Sequence, residues 1–446
     1  MRCLTEDSRS HALRGNASST LCVAPVRRRR ASRRTFPRRA WERGCAGLLS
    51  TLALLLLPSI ALAGPWGLVT GGKEHQVNVV VVIPLKPGDP AEKVTAIQFE
   101  KTVVPAQFTK GGLVFIIPKL KAGEKLAIGP ATLPGDPVLF KYDVLSLARN
   151  EPAALAYGGR KVFEFFNPKH DPADHFYTFK PFHHVYDPVK GETLLTNGSA
   201  KTAKDGLFPH HRGLFFGFNR ISYDGKTADI WHGTDNVYAE FEGLNIVTGT
   251  VFGQEKAKIS WHGKDGATFI NEERELTAYA APGGTLLDFA STLKTERKSV
   301  KLDGDPQHAG FHFRANMEVS KNGKENTYFL RPDGKGKVGE TRNWDAKGAD
   351  PRTIDLPWNA MSFVVGDQRY TTLRINHPDN PKEARGSERD YGRFGDYFAF
   401  EVTPEKPLKV KYRVWVQAGE MTVEQCEAMA SAFANPPEAK MVGLGR

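Results

Sequence analysis

Cysteine is scarce in this chain of 446 residues: there are four, and Cys3, Cys22 and Cys45 all precede residue 46. Only Cys426 remains in the rest of the chain, so a disulfide framework cannot hold it together and a large hydrophobic core must. Long apolar runs are scarce too. Beyond residue 63 no stretch of about 20 apolar residues occurs, which excludes a membrane-spanning helix there, and the mean hydropathy of −0.40 agrees. Also missing are a glycine-rich nucleotide loop, a zinc-protease helix motif and a serine elbow. Acidic residues are sparse at the start. Residues 1–43 carry twelve arginines, no lysine and only three acids, Glu6, Asp7 and Glu42.

An uncharged, mostly apolar run follows that basic stretch from Cys45 and ends in Ala61-Leu62-Ala63. A basic region, a short apolar region and small residues at A-x-A form the secretory layout. We therefore expect residues 1–63 to be a targeting segment, cleaved after Ala63, and the protein to be exported to the periplasm or beyond. Ser32-Arg33-Arg34-Thr35-Phe36 resembles the twin-arginine signal that carries folded proteins, although an arginine-rich leader also produces such a string by chance. Removing the leader takes +9 from the chain's formal charge of +11 and leaves about +2. No basic face then remains for a phosphate backbone, and nucleic acid is a poor partner.

The remainder reads as all-β. Residues 64–135 hold several short β-branched runs, NVVVVIPL among them, separated by Gly/Pro turns, and predict a small immunoglobulin-like sandwich. From 138 to 446 the pattern predicts a large antiparallel two-sheet sandwich, with turns such as Asn197-Gly198, Asp224-Gly225 and Asn322-Gly323. One helix is expected. Thr422 to Gln425 fits a capping box, and Val423, Cys426, Ala430 and Phe433 share a face, so Cys426 reads as packing rather than as a nucleophile.

Histidines and aromatics crowd residues 170–232, in His183-His184, in Pro209-His210-His211-Arg212-Gly213 and in Ile230-Trp231-His232-Gly233. Neighbouring histidines on a strand face opposite ways, so at most one of each pair enters a given site. A second group is Gly304-Asp305-Pro306-Gln307-His308-Ala309-Gly310-Phe311-His312-Phe313-Arg314. A strand here puts His308, His312 and Arg314 on one face and Phe311 and Phe313 on the other. Asn271, Glu273 and Glu275 share a face of another strand, as carboxylate donors or as surface ion-pair partners. Arg374 to Pro381 and Arg389 to Gly395 form proline- and glycine-marked loops that bring His377, Asn380, Arg389 and Tyr391.

PHHRGLFFGF, IWHG, GFHFRA, INHPDNP and RDYGRFG, in that order, resemble an exported bacterial family labelled "methane oxygenase PmoA-like". The resemblance covers roughly residues 161–436, and residues 64–134 resemble a small β domain that often precedes it. His210, His211, Arg212, Trp231, His232, Arg314, His377, Asn380 and Tyr391 match that family's recurring positions. The membrane subunit behind the label crosses a bilayer several times, which this chain lacks the apolar runs to do, so methane oxidation does not follow. The resemblance implies instead a fold similar to the galactose-mutarotase supersandwich, with a carbohydrate or other small polar ligand.

Two chemistries are expected as alternatives. In a carbohydrate-active enzyme, His211 or His312 is the acid/base and Glu273 or Glu275 the carboxylate, while Arg212, Trp231, His232, Arg314, His377, Asn380, Arg389 and Tyr391 bind substrate. In a metalloprotein or oxygenase, a transition-metal cofactor draws its ligands from His210, His211, His232, His308 and His312. A non-catalytic sugar-binding module is the third reading. Convergence of His211, His232, His312 and Arg314 on one site is expected in each.

Overall fold

The computed structural model describes residues 66–85, 88–148, 151–198, 200–305, 307–344 and 349–442. The expected targeting segment, 1–63, lies outside them. The protein is all-β, and every strand pairing among the described residues is antiparallel.

Two large sheets form the body. One has eight strands in the order Arg385–Arg389, Arg393–Tyr397, Ala309–Arg314, Leu214–Phe218, Phe182–Val185, Arg160–Phe166, Ala153–Tyr157 and Phe140–Tyr142. The other has nine, and its long central strands are Phe252–His262, Thr268–Tyr279, Thr285–Lys294 and Leu408–Ala418. The expected two-sheet sandwich is present. Alternation explains how it holds together: Phe311 and Phe313, Leu214 and Phe216, and Phe163 and Phe165 point inward and meet Leu276, Phe289, Tyr412 and Val414 of the facing sheet. Inside this core His183 bonds Glu255, which also accepts from the Tyr142 hydroxyl at 2.6 Å.

A seven-stranded ladder built from Gly67–Thr70, Gln76–Ile83, Ala96–Phe99, Thr102–Thr109, Gly112–Leu120 and Lys125–Ala131 has its own apolar cluster. Its seventh strand comes from the far end of the chain, where Glu438–Met441 pairs with Gly67–Thr70. Helix Val423–Ala434 begins on the expected capping box, with both Thr422–Gln425 bonds formed. It buries Cys426 completely, and burial pushes that thiol up to about 12. Among the described residues, no helix is long and apolar enough to cross a membrane, a statement that leaves β-barrels untouched.

Candidate functional site

The histidines gather on the outer face of the eight-stranded sheet. Cross-strand partners share a face, and here Phe215 stands opposite His312 while Arg314 stands opposite Arg393. These four buried side chains form a floor, with the core phenylalanines on the other side as the alternation requires. His308 lies just before the strand, in a loop, and still reaches the group.

Three loops cover the floor. In the first, His211 N–H donates to Phe208 O at 3.1 Å, a tight turn that sets the His210 and His211 rings edge to face, 4.3 Å apart. Phe208 itself adopts φ 50°, uncommon for an aromatic, and is 41% exposed at the mouth. Gly213 then starts the strand with φ +54°, where a Cβ would stand 2.0 Å from His183 O. The second loop is Asp229 to Gly233. Asp229 accepts from the His232 backbone N–H and faces His232 Nδ1, both at 2.8 Å. The third repeats that arrangement: Asp305 accepts from Gln307 N–H at 3.0 Å and faces His308 Nδ1 at 2.7 Å. Asn219 Nδ2 donates to the other Asp305 oxygen at 2.9 Å.

These carboxylates fix the tautomers. With Nδ1–H directed at a carboxylate, the neutral ring of His232 and of His308 keeps its lone pair on Nε2. Ring centroids lie 4.6 Å apart for His210–His232 and 4.9 Å for His232–His308. One ligand atom from each of His210, His232 and His308 lies within 4.8 Å of the others. His210 Nε2 is buried and has no hydrogen-bond partner. Burial, followed by the neighbouring His232 and Lys180, pushes His210 down to about 2, so its ring is neutral at ordinary pH. A carboxylate behind a ligating imidazole is how metal-binding histidines are oriented and made more basic.

Beneath the three lies His211, 1% exposed, with neither ring nitrogen partnered. Burial first, and then His210, Arg393, Arg314 and Lys180, holds it far below the usual imidazole range. The Trp231 ring is 5.6 Å from His211 and 4.9 Å from His312. Tyr391 stacks parallel to His211 at 6.5 Å and sits 4.9 Å from the Arg314 guanidinium.

Of the expected site residues, the structure brings together His210, His211, Trp231, His232, His308, His312, Arg314 and Tyr391. Several roles need correction. His312 is neither a free base nor a metal ligand, because Nε2 bonds Ala309 O and Nδ1 accepts from Arg393, both at 2.9 Å. Glu273 and Glu275 sit on the outer face of the other sheet and pair with Lys294 at 2.8 Å and Lys256 at 3.0 Å. The whole core separates them from the histidines, so the surface ion-pair alternative describes them. Arg212 does not face a ligand with its terminal nitrogens, which hold Tyr177 O and Phe176 O. Asn380 is a buried loop lock on Asn376 and Lys411, and His377 packs its ring against Phe433. Both belong to a loop whose Asn376 and Pro378 line a separate cleft of about 720 Å³. Arg389 donates to Glu388 O. Residues not anticipated are Asp229, Asp305, Lys180 and Arg393. The signal for the first two was legible as D-x-x-H, which occurs in Asp229-Ile230-Trp231-His232 and again in Asp305-Pro306-Gln307-His308.

Fold and site together define a two-sheet β-sandwich with a carboxylate-backed cluster of three histidines on one outer face. Residues 153–431 match the Family of unknown function (DUF6807), and the chain belongs to that family. No curated protein matches it. Among solved structures, an α-mannosidase from Enterococcus faecalis V583 is similar at TM-score 0.37 and 11% identity, over 85% of this chain and 46% of that one. The galactose mutarotase related enzyme of Lactobacillus acidophilus is similar at TM-score 0.30 and 11% identity, over 61% and 96%. For a putative aldose 1-epimerase of Escherichia coli K12 the values are 0.26, 9%, 53% and 93%. The match spans less than half of the first glycoside hydrolases, 41% of an α-galactosidase from Geobacillus stearothermophilus and 47% of a family 38 protein from Enterococcus faecalis. At these scores the likeness carries no argument about chemistry.

Proposed function

We propose that this protein is a metal-dependent enzyme in which His210, His232 and His308 hold a divalent transition metal that acts on a small, oxygen-rich ligand such as a carbohydrate. The observation that carries the reading is the repeated Asp–His pair, 2.8 Å at Asp229–His232 and 2.7 Å at Asp305–His308, in a cluster where one ligand atom from each of His210, His232 and His308 lies within 4.8 Å of the others and His210 Nε2 is unpartnered. Three imidazoles suit zinc, copper, iron or nickel better than magnesium or calcium. Such a ligand set leaves a coordination position open, where a metal ion polarises a substrate oxygen or lowers the pKa of a water. His211, neutral and unpartnered beneath the triad, is placed to accept or relay a proton there. Phe208 and Tyr391 supply aromatic walls of the kind sugar rings pack on.

A metal-free glycosidase is the weaker reading. It needs two carboxylates free to act, and the two at this cluster are each engaged with an imidazole. The oxygenase suggested by the motif resemblance would use the same three histidines with a redox-active ion. Export of the chain, cleaved after Ala63, also belongs to this proposal. It is checked by the amino terminus of protein recovered from the cell envelope.

Metal analysis of the purified protein, with zinc and copper titrations by calorimetry, tests the central reading. One ion per chain, abolished by His232→Ala together with His308→Ala, is expected. Equal, weak binding by wild type and that variant would overturn it.

A further inference from the structure

Buried arginines in this protein fall into two groups. Arg274 pairs with Glu272 at 2.8 Å, Arg331 with Glu388 at 3.0 Å, Arg374 with Asp396 at 2.8 Å and Arg413 with Asp288 at 2.6 Å. Arg212, Arg314 and Arg393 are equally buried, yet none makes an ion pair with a described residue. Arg314 and Arg393 adjoin the histidine cluster, whereas Arg212 packs on Phe176, Phe179 and Phe182. Lys180, 3% exposed, joins them: its Nζ donates to Trp231 O at 2.7 Å and lies 4.7 Å from the centre of the Phe215 ring.

The unpaired cations are solvated by neutral groups. Arg314 donates to Tyr391 O and to Leu207 O at 3.1 Å. Arg393 reaches His312 Nδ1 at 2.9 Å and the Tyr391 and Ser387 hydroxyls, each at 3.1 Å. Neutral partners satisfy N–H groups but do not cancel charge, and burying uncompensated charge is costly. The carboxylates at the cluster, Asp229 and Asp305, are committed to His232 and His308, and a divalent ion would add two further positive charges. Several donors also lack partners: Arg314 Nε, Arg212 Nε and Trp231 Nε1 are buried with none. Among the described residues every other buried guanidinium has a carboxylate partner, which leaves the cations at this site as a place for an anion from outside.

We propose that the ligand of this centre is an anion, a small molecule bearing a carboxylate such as a sugar acid, whose charge supplies the counter-ion that Arg314, Arg393 and Lys180 lack. A metal ion in the open triad would take an oxygen of the same ligand, and to that extent the inference rests on the metal reading above. Only binding is asserted, with no bond made or broken.

The test separates the two ideas by order of measurement. Zinc binding to the full chain is measured first by calorimetry, and its absence defeats the metal reading on which ligand placement rests. Zinc-loaded protein is then titrated with D-glucuronate, acetate and D-glucose. Glucuronate is expected to bind at least about tenfold more tightly than glucose, because its charge offsets cations that are buried without a counter-ion. Acetate competing with glucuronate would mark the carboxylate as the recognised group. Arg314→Gln should reduce that preference about tenfold, Arg314→Lys should retain most of it, and zinc affinity should change little in either. Zinc bound with glucose and glucuronate equal, and acetate inert, would overturn the proposal without requiring any variant to fold.

Discussion

Asp305→Asn and Asp229→Asn probe the carboxylates behind the triad without changing side-chain size. Each Asp–Nδ1 contact is charge-assisted and short, at 2.7 and 2.8 Å. A hydrogen bond to a charged group is worth about 1.5–3 kcal/mol, against about 1 for a neutral one. The difference, about 0.5–2 kcal/mol, is a two- to thirtyfold loss of metal affinity, overlapping the 10- to 100-fold typical of such outer partners. Asp229 is the more shielded, with 18% side-chain exposure against 29%, so its variant is expected to lose more. Competition against a chromogenic chelator measures the affinity, and thermal melting without metal measures any structural cost, since Asp229 also holds the His232 backbone N–H. Unchanged metal affinity in both variants, with only the melting temperature lowered, would refute the reasoning and reduce the two aspartates to loop fasteners.

Gly213→Ala is expected to cost more than about 3 kcal/mol, because φ +54° and a Cβ 2.0 Å from His183 O combine backbone strain with a backbone clash; denaturant unfolding measures it. His184 is buried, and burial, with His183 and Arg212 nearby, lowers it from 6.5 to about 3. The unfolded chain therefore binds the proton more readily, so this contribution to stability is complete above pH 6.5. It falls by at most about 1.4 kcal/mol per unit as pH drops toward 3. His184→Asn, provided it folds, should flatten that part of the stability profile. Glu273→Gln and Glu275→Gln should leave metal and ligand affinity unchanged and alter stability by less than about 1 kcal/mol, as half-exposed ion pairs do.

The sandwich was legible because its strands announce themselves locally. Asn271, Glu273 and Glu275 do lie on one strand, Thr268–Tyr279, and the Phe311/Phe313 versus His312/Arg314 split is the observed division between core and outer face. Which face of a strand looks at which partner is not local information, and Glu273 and Glu275 were assigned to the site for that reason. Pairing of Glu438–Met441 with Gly67–Thr70 joins segments some 370 residues apart, and no periodicity encodes it. Adjacent histidines and the GFHFR strand indicated the stretches that the structure brings together. The two D-x-x-H spacings resemble ordinary turn polarity until the structure sets them side by side. His312 illustrates the opposite limit: its position was legible, but its engagement by Arg393 depends on a strand 81 residues downstream.

A crystal of the protein grown with zinc, with diffraction recorded on either side of the zinc absorption edge, tests the central claim most directly. The account predicts one anomalous peak bound by His232 Nε2, His308 Nε2 and a ring nitrogen of His210, with both aspartates still on the Nδ1 atoms. A zinc-saturated crystal with no anomalous density among these three imidazoles would contradict it.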